Sequence, residues 1–390
     1  MFSEIKNDKY NSLMVLLATE QLSIKDLDIA KVQLNDLDII KFYEIALEHE
    51  LESIIYPNLK LLNDQIIPQF WHDKYNSTKS RIAFMIDKLK EVAQKFEEKA
   101  IPIIALKNGG IAMEILDDYG KSPMGDIDTL VNKKDFLDAH KILIEMGFIF
   151  EFRSEFEFED IEKAFQDGGT EYYFKGKEDD EELWFEMSWR PIAGRWIRLD
   201  KEPKSEQLFE KSSYNKDTKV KILSPEDNLL QVSIHTAKHS YVRDPGFRLH
   251  LDVERIVKYY QIDWNIFLNK VDEVGTNTAI YYSLYIAKEL FNTPIPNEVL
   301  DKLKPFIVKK WIIEKLLKRA KLLHPREEKF TKIEFVIFQI MLYDQIWDVF
   351  RVIYPSSDWM KKKYDFKSNF LMPYFILLRI LDLIGFRKSK

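Results

Sequence analysis

No glycine occurs before Gly109, and this absence constrains the fold of the chain more than any other feature of the sequence. In residues 11–99 the apolar side chains recur three and four positions apart, and only Pro57 and Pro68 interrupt the pattern. Such spacing places apolar side chains on one face of a helix. We therefore predict that residues 1–100 are helical and end in one long amphipathic helix over residues 81–100.

The pattern changes at Ile101, where short apolar runs rich in β-branched residues begin. These runs predict strands, with a hairpin turn between the last two. The predicted strands cover residues 101–106, 126–131, 148–152, 170–174 and 183–189. A helix is expected over residues 133–146, because Gly147 follows it in the position that favours glycine after a helix. A shorter helix is expected over residues 111–116.

At Ser224 the pattern becomes helical again, since a capping serine is followed by proline and two acids. The predicted fold class is therefore α+β. A small mixed-sheet core at residues 101–222 would lie between an N-terminal helical region (1–100) and a C-terminal helical domain (223–390).

Composition excludes several kinds of site. The chain has no cysteine, so it has neither a disulfide nor a thiolate zinc site. Its 58 basic and 64 acidic residues give a net charge of −6, which disfavours binding to duplex nucleic acid. The most apolar segment, residues 370–386, contains a proline and two charged residues, so it predicts a buried or amphipathic helix and no membrane span. Without a secretory signal at the start, we expect a cytoplasmic protein.

The central chemical feature is Met124-Gly-Asp-Ile-Asp128. Alternate residues of a strand face the same side, so Asp126 and Asp128 would present two carboxylates together. Adjacent like charges favour a hard divalent cation such as Mg²⁺ between them. Alone, this short motif more often marks an exposed turn than a metal site. The preceding Gly109-Gly110 pair would let backbone N–H groups approach a phosphate, although a simple tight turn explains it equally well.

Two segments carry a resemblance to a known family. Residues 106–112 read Leu-Lys-Asn-Gly-Gly-Ile-Ala, and residues 120–131 read Gly-Lys-Ser-Pro-Met-Gly-Asp-Ile-Asp-Thr-Leu-Val. They resemble the uncharacterised nucleotidyltransferase family of bacteria, within the DNA polymerase β-like superfamily. Residues 185–189, Phe-Glu-Met-Ser-Trp, are similar to a later strand of that family. The chain departs from the family pattern at Asn108, where the family has glycine, and at the family arginine before Pro-Met, where only Lys121 and Ser122 lie nearby.

The resemblance implies a Mg²⁺-dependent nucleotidyltransferase that uses a nucleoside triphosphate such as ATP and releases pyrophosphate. Asp126, Asp128 and Glu186 would be the catalytic carboxylates and the ligands of two Mg²⁺ ions. The residues implied in nucleotide binding are Lys107, Gly109, Gly110, Lys121, His235 and His239. The acceptor would be a small molecule, a peptide or a protein.

Purely structural explanations, without a catalytic or binding role, stay open for these residues. Lys107 would then be a strand-end lysine in water, Glu186 a solvent-facing strand residue, and His235 and His239 a packing pair four residues apart on one helix face. Three alternatives stay open for the whole chain. The first is a catalytically degenerate module that binds a nucleotide or a protein partner, and the second is a helical scaffold protein whose Asp-x-Asp motif is incidental. The third is a phosphotransferase that moves the γ-phosphate.

Overall fold

A computed structural model describes residues 2–20, 22–35, 37–152, 161–178, 181–191, 197, 200–216, 218–354 and 357–383. Helices lie at both ends of the described part of the chain and one mixed sheet lies between them, which confirms the α+β class. Among the described helices, none has the length and apolar character needed to cross a bilayer.

The N-terminal part contains six α-helices, counted over the described residues, and the core and C-terminal part contain the others. The α-helices are α1 (Phe2–Asn7), α2 (Lys9–Leu17), α3 (Ile24–Asn35), α4 (Ile39–Glu48), α5 (Glu52–Asn63), α6 (Gln69–Glu97), α7 (Lys107–Glu114), α8 (Phe136–Glu145), α9 (Ile161–Asp167), α10 (Ser205–Lys211), α11 (Pro225–Lys238), α12 (Phe247–Tyr259), α13 (Trp264–Val274), α14 (Asn277–Phe291), α15 (Asn297–Leu303), α16 (Ile307–Ala320), α17 (Lys332–Leu342), α18 (Ile346–Ile353), α19 (Ser357–Tyr364) and α20 (Met372–Leu383). Single 3-10 turns lie at Asp64–Ile66, Tyr119–Lys121, Lys133–Asp135 and Asn369–Leu371.

Several helix ends follow the local signals in the sequence. The Ser224 hydroxyl accepts a hydrogen bond from the Asp227 N–H at 3.3 Å and caps α11. Gly147 has φ +86°, the left-handed conformation expected after α8. The long helix predicted at residues 81–100 is confirmed, but it begins earlier, at Gln69. In the apolar segment near the C-terminus, α20 is the expected helix, and residues 384–386 lie outside the described residues.

The sheet has seven strands in the described residues, and they pair in the order β3-β4-β5-β2-β1-β7-β6. The strands are β1 (Ile103–Ala105), β2 (Ile127–Leu130), β3 (Ile149–Glu151), β4 (Thr170–Glu178), β5 (Glu181–Ser188), β6 (Ser213–Tyr214) and β7 (Val220–Ile222). The central pair β2–β5 and the pair β1–β7 are parallel, and all other neighbours are antiparallel. All five predicted strands are present, whereas the two short strands β6 and β7 were not predicted.

Helix α6 connects two hydrophobic cores. Trp71, near its start, is buried in a cluster that contains side chains from both the N-terminal and the C-terminal helices. Met85 and Leu89, further along, are buried against the sheet and α8. One long amphipathic helix therefore fixes the sheet against the helical part of the molecule. The domain boundaries at residues 100 and 222 stay a prediction.

Candidate active site

Three carboxylates meet at one edge of the central strands. Because β2 and β5 are parallel neighbours, their register places Asp128 directly opposite Glu186. Asp126 precedes β2 by one residue and, at the two-residue period of a strand, faces the same side as Asp128. Ligand oxygens of the three side chains all lie within 4.8 Å of one another. Asp128 is 7% exposed, and the other two are half-buried.

Burial and a neighbouring like charge both act on the Asp126 carboxyl of this cluster. Burial raises the pKa of the Asp126 carboxyl, and the neighbouring charge of Asp128 raises it further. The positive charges of Lys107 and Arg248 act in the opposite direction without cancelling this effect. Hard carboxylate oxygens at this spacing fit a divalent cation such as Mg²⁺, which would relieve the repulsion.

The Lys107 ammonium lies against the carboxylate cluster. Lys107 is the first residue of α7, separated from β1 by Leu106 alone, and its ammonium forms an ion pair with Asp128. Burial lowers the pKa of the Lys107 ammonium, but the charges of Asp128, Glu186 and Asp126 outweigh burial and raise the pKa above its usual range. Its backbone N–H donates to the Gln231 side-chain oxygen at 3.3 Å. The solvent-facing alternative for Lys107 is therefore wrong.

The glycine pair lies inside the first turns of α7, so the turn predicted there and the helix start at residue 111 are wrong. Both glycines are buried. A Cβ on Gly110 would lie 2.9 Å from the Ala105 carbonyl oxygen, whereas a Cβ on Gly109 would make only an ordinary contact at 3.9 Å. Gly110 therefore lets α7 pack closely on β1, a tertiary requirement that local sequence rules do not register.

Arg248 from α12 holds the start of α7 to the segment before β2. Its guanidinium donates to the Pro123 carbonyl oxygen at 2.5 Å and lies 2.9 Å from a Glu50 carboxylate oxygen. The Asn108 amide, oriented by its neighbours, accepts from Arg248 at 2.6 Å and donates to Asp252 at 2.9 Å. An arginine from a distant helix thus contacts the Pro-Met segment, where the family arginine is missing from the local sequence.

The buried Asp252 carboxyl lies near Arg248 and Arg255, which favour its charged form. Burial raises the pKa of the Asp252 carboxyl, although Arg248 and Arg255 pull it down. The Asn108 amide links the Asp252 carboxylate to the Arg248 guanidinium. Charged groups therefore stabilise the packing of α12 against α7 in addition to apolar contacts.

His235 and His239 contact each other on α11 and just after it, with ring centroids 4.8 Å apart. Burial lowers the pKa of both imidazoles, and the positive charges of Lys107 and Arg248 lower each further. The His239 Nδ1 donates to the Asp244 carbonyl oxygen at 2.6 Å, which leaves Nε2 as the acceptor nitrogen. Both rings are therefore neutral near pH 7 and lie within electrostatic reach of Lys107.

Lys121 lies elsewhere. Its ammonium pairs with Glu20 at 3.1 Å and with Asp117 at 3.4 Å. Its backbone carbonyl accepts a hydrogen bond from Arg255 at 3.0 Å. The described contacts of Lys121 thus connect the 3-10 turn before β2 to the N-terminal and C-terminal helices, and they do not include the carboxylate cluster.

Sequence reasoning did not identify Gln231, Asn108 or Glu50 as contributors to this site. Gln231 bridges the Lys107 N–H and the Pro191 carbonyl oxygen, which lies 3.3 Å from its amide nitrogen. In the sequence, Asn108 was noted only as a departure from the family pattern, without a role. The other two lie far away in sequence, so no local pattern could have indicated them.

A scan against models of known protein families matches residues 35–292 to the uncharacterised nucleotidyltransferase family. No curated protein matches the chain. No solved structure matches it either. The matched segment covers more than half of the chain and includes all three carboxylates, Lys107 and Arg248. The chain therefore belongs to the uncharacterised nucleotidyltransferase family.

Proposed function

We propose that this protein transfers a nucleoside monophosphate from a nucleoside triphosphate to an acceptor hydroxyl and releases pyrophosphate. The observation that carries the proposal is the convergence of Asp126, Asp128 and Glu186 within 4.8 Å, with Lys107 against Asp128. The acceptor oxygen attacks the α-phosphorus, and the bond to the oxygen that bridges to the β-phosphorus breaks. The acceptor proton passes to water.

The three carboxylates would hold Mg²⁺, most simply as two ions. Bound there, Mg²⁺ supplies neutralisation of the negative charge that develops on the attacking and leaving oxygens. No nucleophile from the protein is required, because positioning and electrostatic stabilisation carry this class of reaction.

The residues on the β1 side of the cluster would bind the β- and γ-phosphates. Lys107 contributes an ammonium at the start of α7, where the backbone N–H groups of Asn108 and Gly109 point out of the helix. Arg248 adds a second positive charge that already acts on Asp126. We place His235 and His239 beside the nucleotide as neutral hydrogen-bonding groups, because their rings lie within reach of Lys107 and Arg248. Lys121 would act only indirectly, by holding the segment before β2.

One observation favours a second candidate, a nucleotide-binding module without turnover. The Lys107 ammonium is bound to Asp128, a carboxylate that a metal ion would need. If this ion pair persists with nucleotide bound, Lys107 replaces a metal ion and the reaction does not proceed. Nucleotide affinity without pyrophosphate release would favour this candidate.

The test measures heat stability and pyrophosphate release with each nucleoside triphosphate, with and without Mg²⁺. The variants are Asp126→Asn and Asp128→Asn, and Asp138→Asn is the matched control, since Asp138 is 70% exposed and pairs only with surface Lys141 among its described ion pairs. A ligand at about a hundred times its dissociation constant adds about 2.7 kcal/mol to stability. We expect a Mg²⁺-dependent shift and pyrophosphate release in the wild type and the control, and neither in the two site variants. Full turnover in either site variant would refute the mechanism.

A further inference from the structure

An aromatic cavity adjoins the carboxylate cluster on the side away from Lys107. It has a volume of about 350 Å³ and is lined by Gly125, Asp126, Tyr172, Trp184, Phe185 and Glu186. In the β4–β5 hairpin Tyr172 pairs with Glu186, and Phe174 pairs with Trp184. Alternate residues of a strand share a face, so Tyr172 and Trp184 lie on the same face as Glu186. Trp184 is 37% exposed, and its ring centroid is 5.0 Å from that of Phe174.

The order of the strands separates this cavity from the phosphate side. In the sequence β4-β5-β2-β1, the carboxylates lie on β5 and at β2, Lys107 follows β1, and the aromatic side chains lie on β4 and β5. In displacement at phosphorus the attacking and leaving oxygens are roughly in line on opposite sides. If pyrophosphate leaves towards Lys107, the attacking oxygen must come from the side of β4 and β5.

We propose that the cavity formed by Tyr172 and Trp184 binds the acceptor, and that the acceptor presents its hydroxyl on an unphosphorylated ring with a face that stacks on an aromatic side chain. The proposal rests on the proposed function, because it names the substrate class of the same site. A sugar ring or a phenol stacks on indole and phenol faces, and the volume suits a single ring. A phosphorylated ring would bring further negative charge to Asp126 and Glu186.

Arg81 braces the rim of this cavity. Its guanidinium donates to the Gly125 carbonyl oxygen and to the Glu182 carbonyl oxygen, both at 3.1 Å. It thereby connects the residue before Asp126 to β5, the strand that carries Trp184 and Glu186. The rim is held by these two contacts, so the aromatic face keeps a fixed position relative to the carboxylates.

The experiment follows the fluorescence of Trp184, obtained as the difference between the wild-type protein and the Trp184→Phe variant. The protein carries Mg²⁺ and a non-hydrolysable triphosphate analogue, and phenol or methyl glucoside is titrated as the probe. We expect a saturable change in Trp184 emission with at least one probe, and its binding should weaken about tenfold in Tyr172→Ala, as the loss of one stacking contact predicts. Phenyl phosphate and glucose 6-phosphate should bind more weakly. Trp311→Phe is the control, since Trp311 is 61% exposed on α16, and its emission should not respond.

Three results would overturn the proposal. A change in Trp184 emission with the triphosphate analogue alone, reversed by the ring probes, would show that the cavity binds the nucleobase. Tighter binding of the phosphorylated rings would overturn the acceptor class, and no saturable change with either neutral ring would overturn acceptor binding. The shift in heat stability with nucleotide is measured in the same samples, so that the two proposals can be distinguished. Its absence counts against the proposed function, whereas a normal shift with an unresponsive Trp184 counts against this inference alone.

Discussion

The substitution of Gly110 by alanine tests whether the glycine pair serves helix packing or a flexible phosphate-binding turn. In the structure a Cβ at Gly110 would lie 2.9 Å from the Ala105 carbonyl oxygen of β1. Backbone atoms of a central strand cannot move aside cheaply, so α7 would have to shift. Since Lys107 begins α7, the shift would also displace its ammonium from Asp128.

The matched control is Gly109→Ala, whose Cβ would lie 3.9 Å from the Ala105 Cβ, an ordinary contact. Both variants gain helix stability from replacing glycine by alanine, about 0.5–1 kcal/mol each. Only Gly110→Ala carries the cost of overpacking, about 1–3 kcal/mol. Because the helix gain is common to both, the control should be more stable than Gly110→Ala by about 1–3 kcal/mol.

The measurement is urea unfolding without nucleotide, followed by the fluorescence of the buried tryptophans. We expect the midpoint of Gly109→Ala at or above that of the wild type, and the midpoint of Gly110→Ala below that of Gly109→Ala with an unchanged slope. Equal midpoints for the two variants would refute the packing argument. They would restore the interpretation of the pair as a turn with room for either side chain.

Two further predictions concern buried polar groups near the site. His49 is 1% exposed and accepts a hydrogen bond from the Phe247 N–H at 3.2 Å, and burial lowers its pKa from 6.5 to about 3. The unfolded chain therefore binds a proton that the folded chain excludes, and stability falls as the pH drops from about 6.5 towards 3. Between pH 7 and pH 5 the wild-type protein should lose about 2 kcal/mol of its free energy of unfolding through this group. Urea unfolding of His49→Asn should show a loss smaller by that amount, and parallel pH profiles of the two proteins would contradict the prediction. Asn108→Ala removes the hydrogen bonds to Arg248 and Asp252, so it should cost about 1.5–3 kcal/mol in the same assay, and a cost below 0.5 kcal/mol, roughly the effect of a surface change, would contradict it.

Two of the three carboxylates could be predicted from the residues alone because their relative position follows from local rules. Asp126 and Asp128 are two residues apart at a strand, and the two-residue period alone places them together. Glu186 lies 58 positions after Asp128 in the numbering, and only the resemblance of its strand to the family pattern indicated it. The parallel pairing of β2 and β5 supplies the register that the sequence does not contain.

The rest of the site depends on contacts between distant segments. Gly109 and Gly110 suggest a turn by local rules, yet the packing of α7 on β1 makes them part of a helix. Strands β6 and β7 are two and three residues long, too short for an alternating pattern to mark them. Glu50, in the turn between α4 and α5, and Gln231, on α11, reach the site from far away in sequence, where neither stands out from other polar residues.

The two local departures from the family pattern, at Asn108 and before Pro123, lie beside Arg248. The carboxylates of Asp126, Asp128 and Glu186 lie within 4.8 Å of one another, and the Lys107 ammonium forms an ion pair with Asp128. A divalent ion bound there would neutralise negative charge. Asn108 occupies the place of a family glycine, but its amide joins Arg248 to Asp252 and so fixes a second positive group at the start of α7. The position of the missing family glycine and that of the missing family arginine are thus connected through Arg248. The Asn108 amide contacts Arg248, and the Arg248 guanidinium contacts the Pro123 carbonyl oxygen of the segment in which the family arginine is missing.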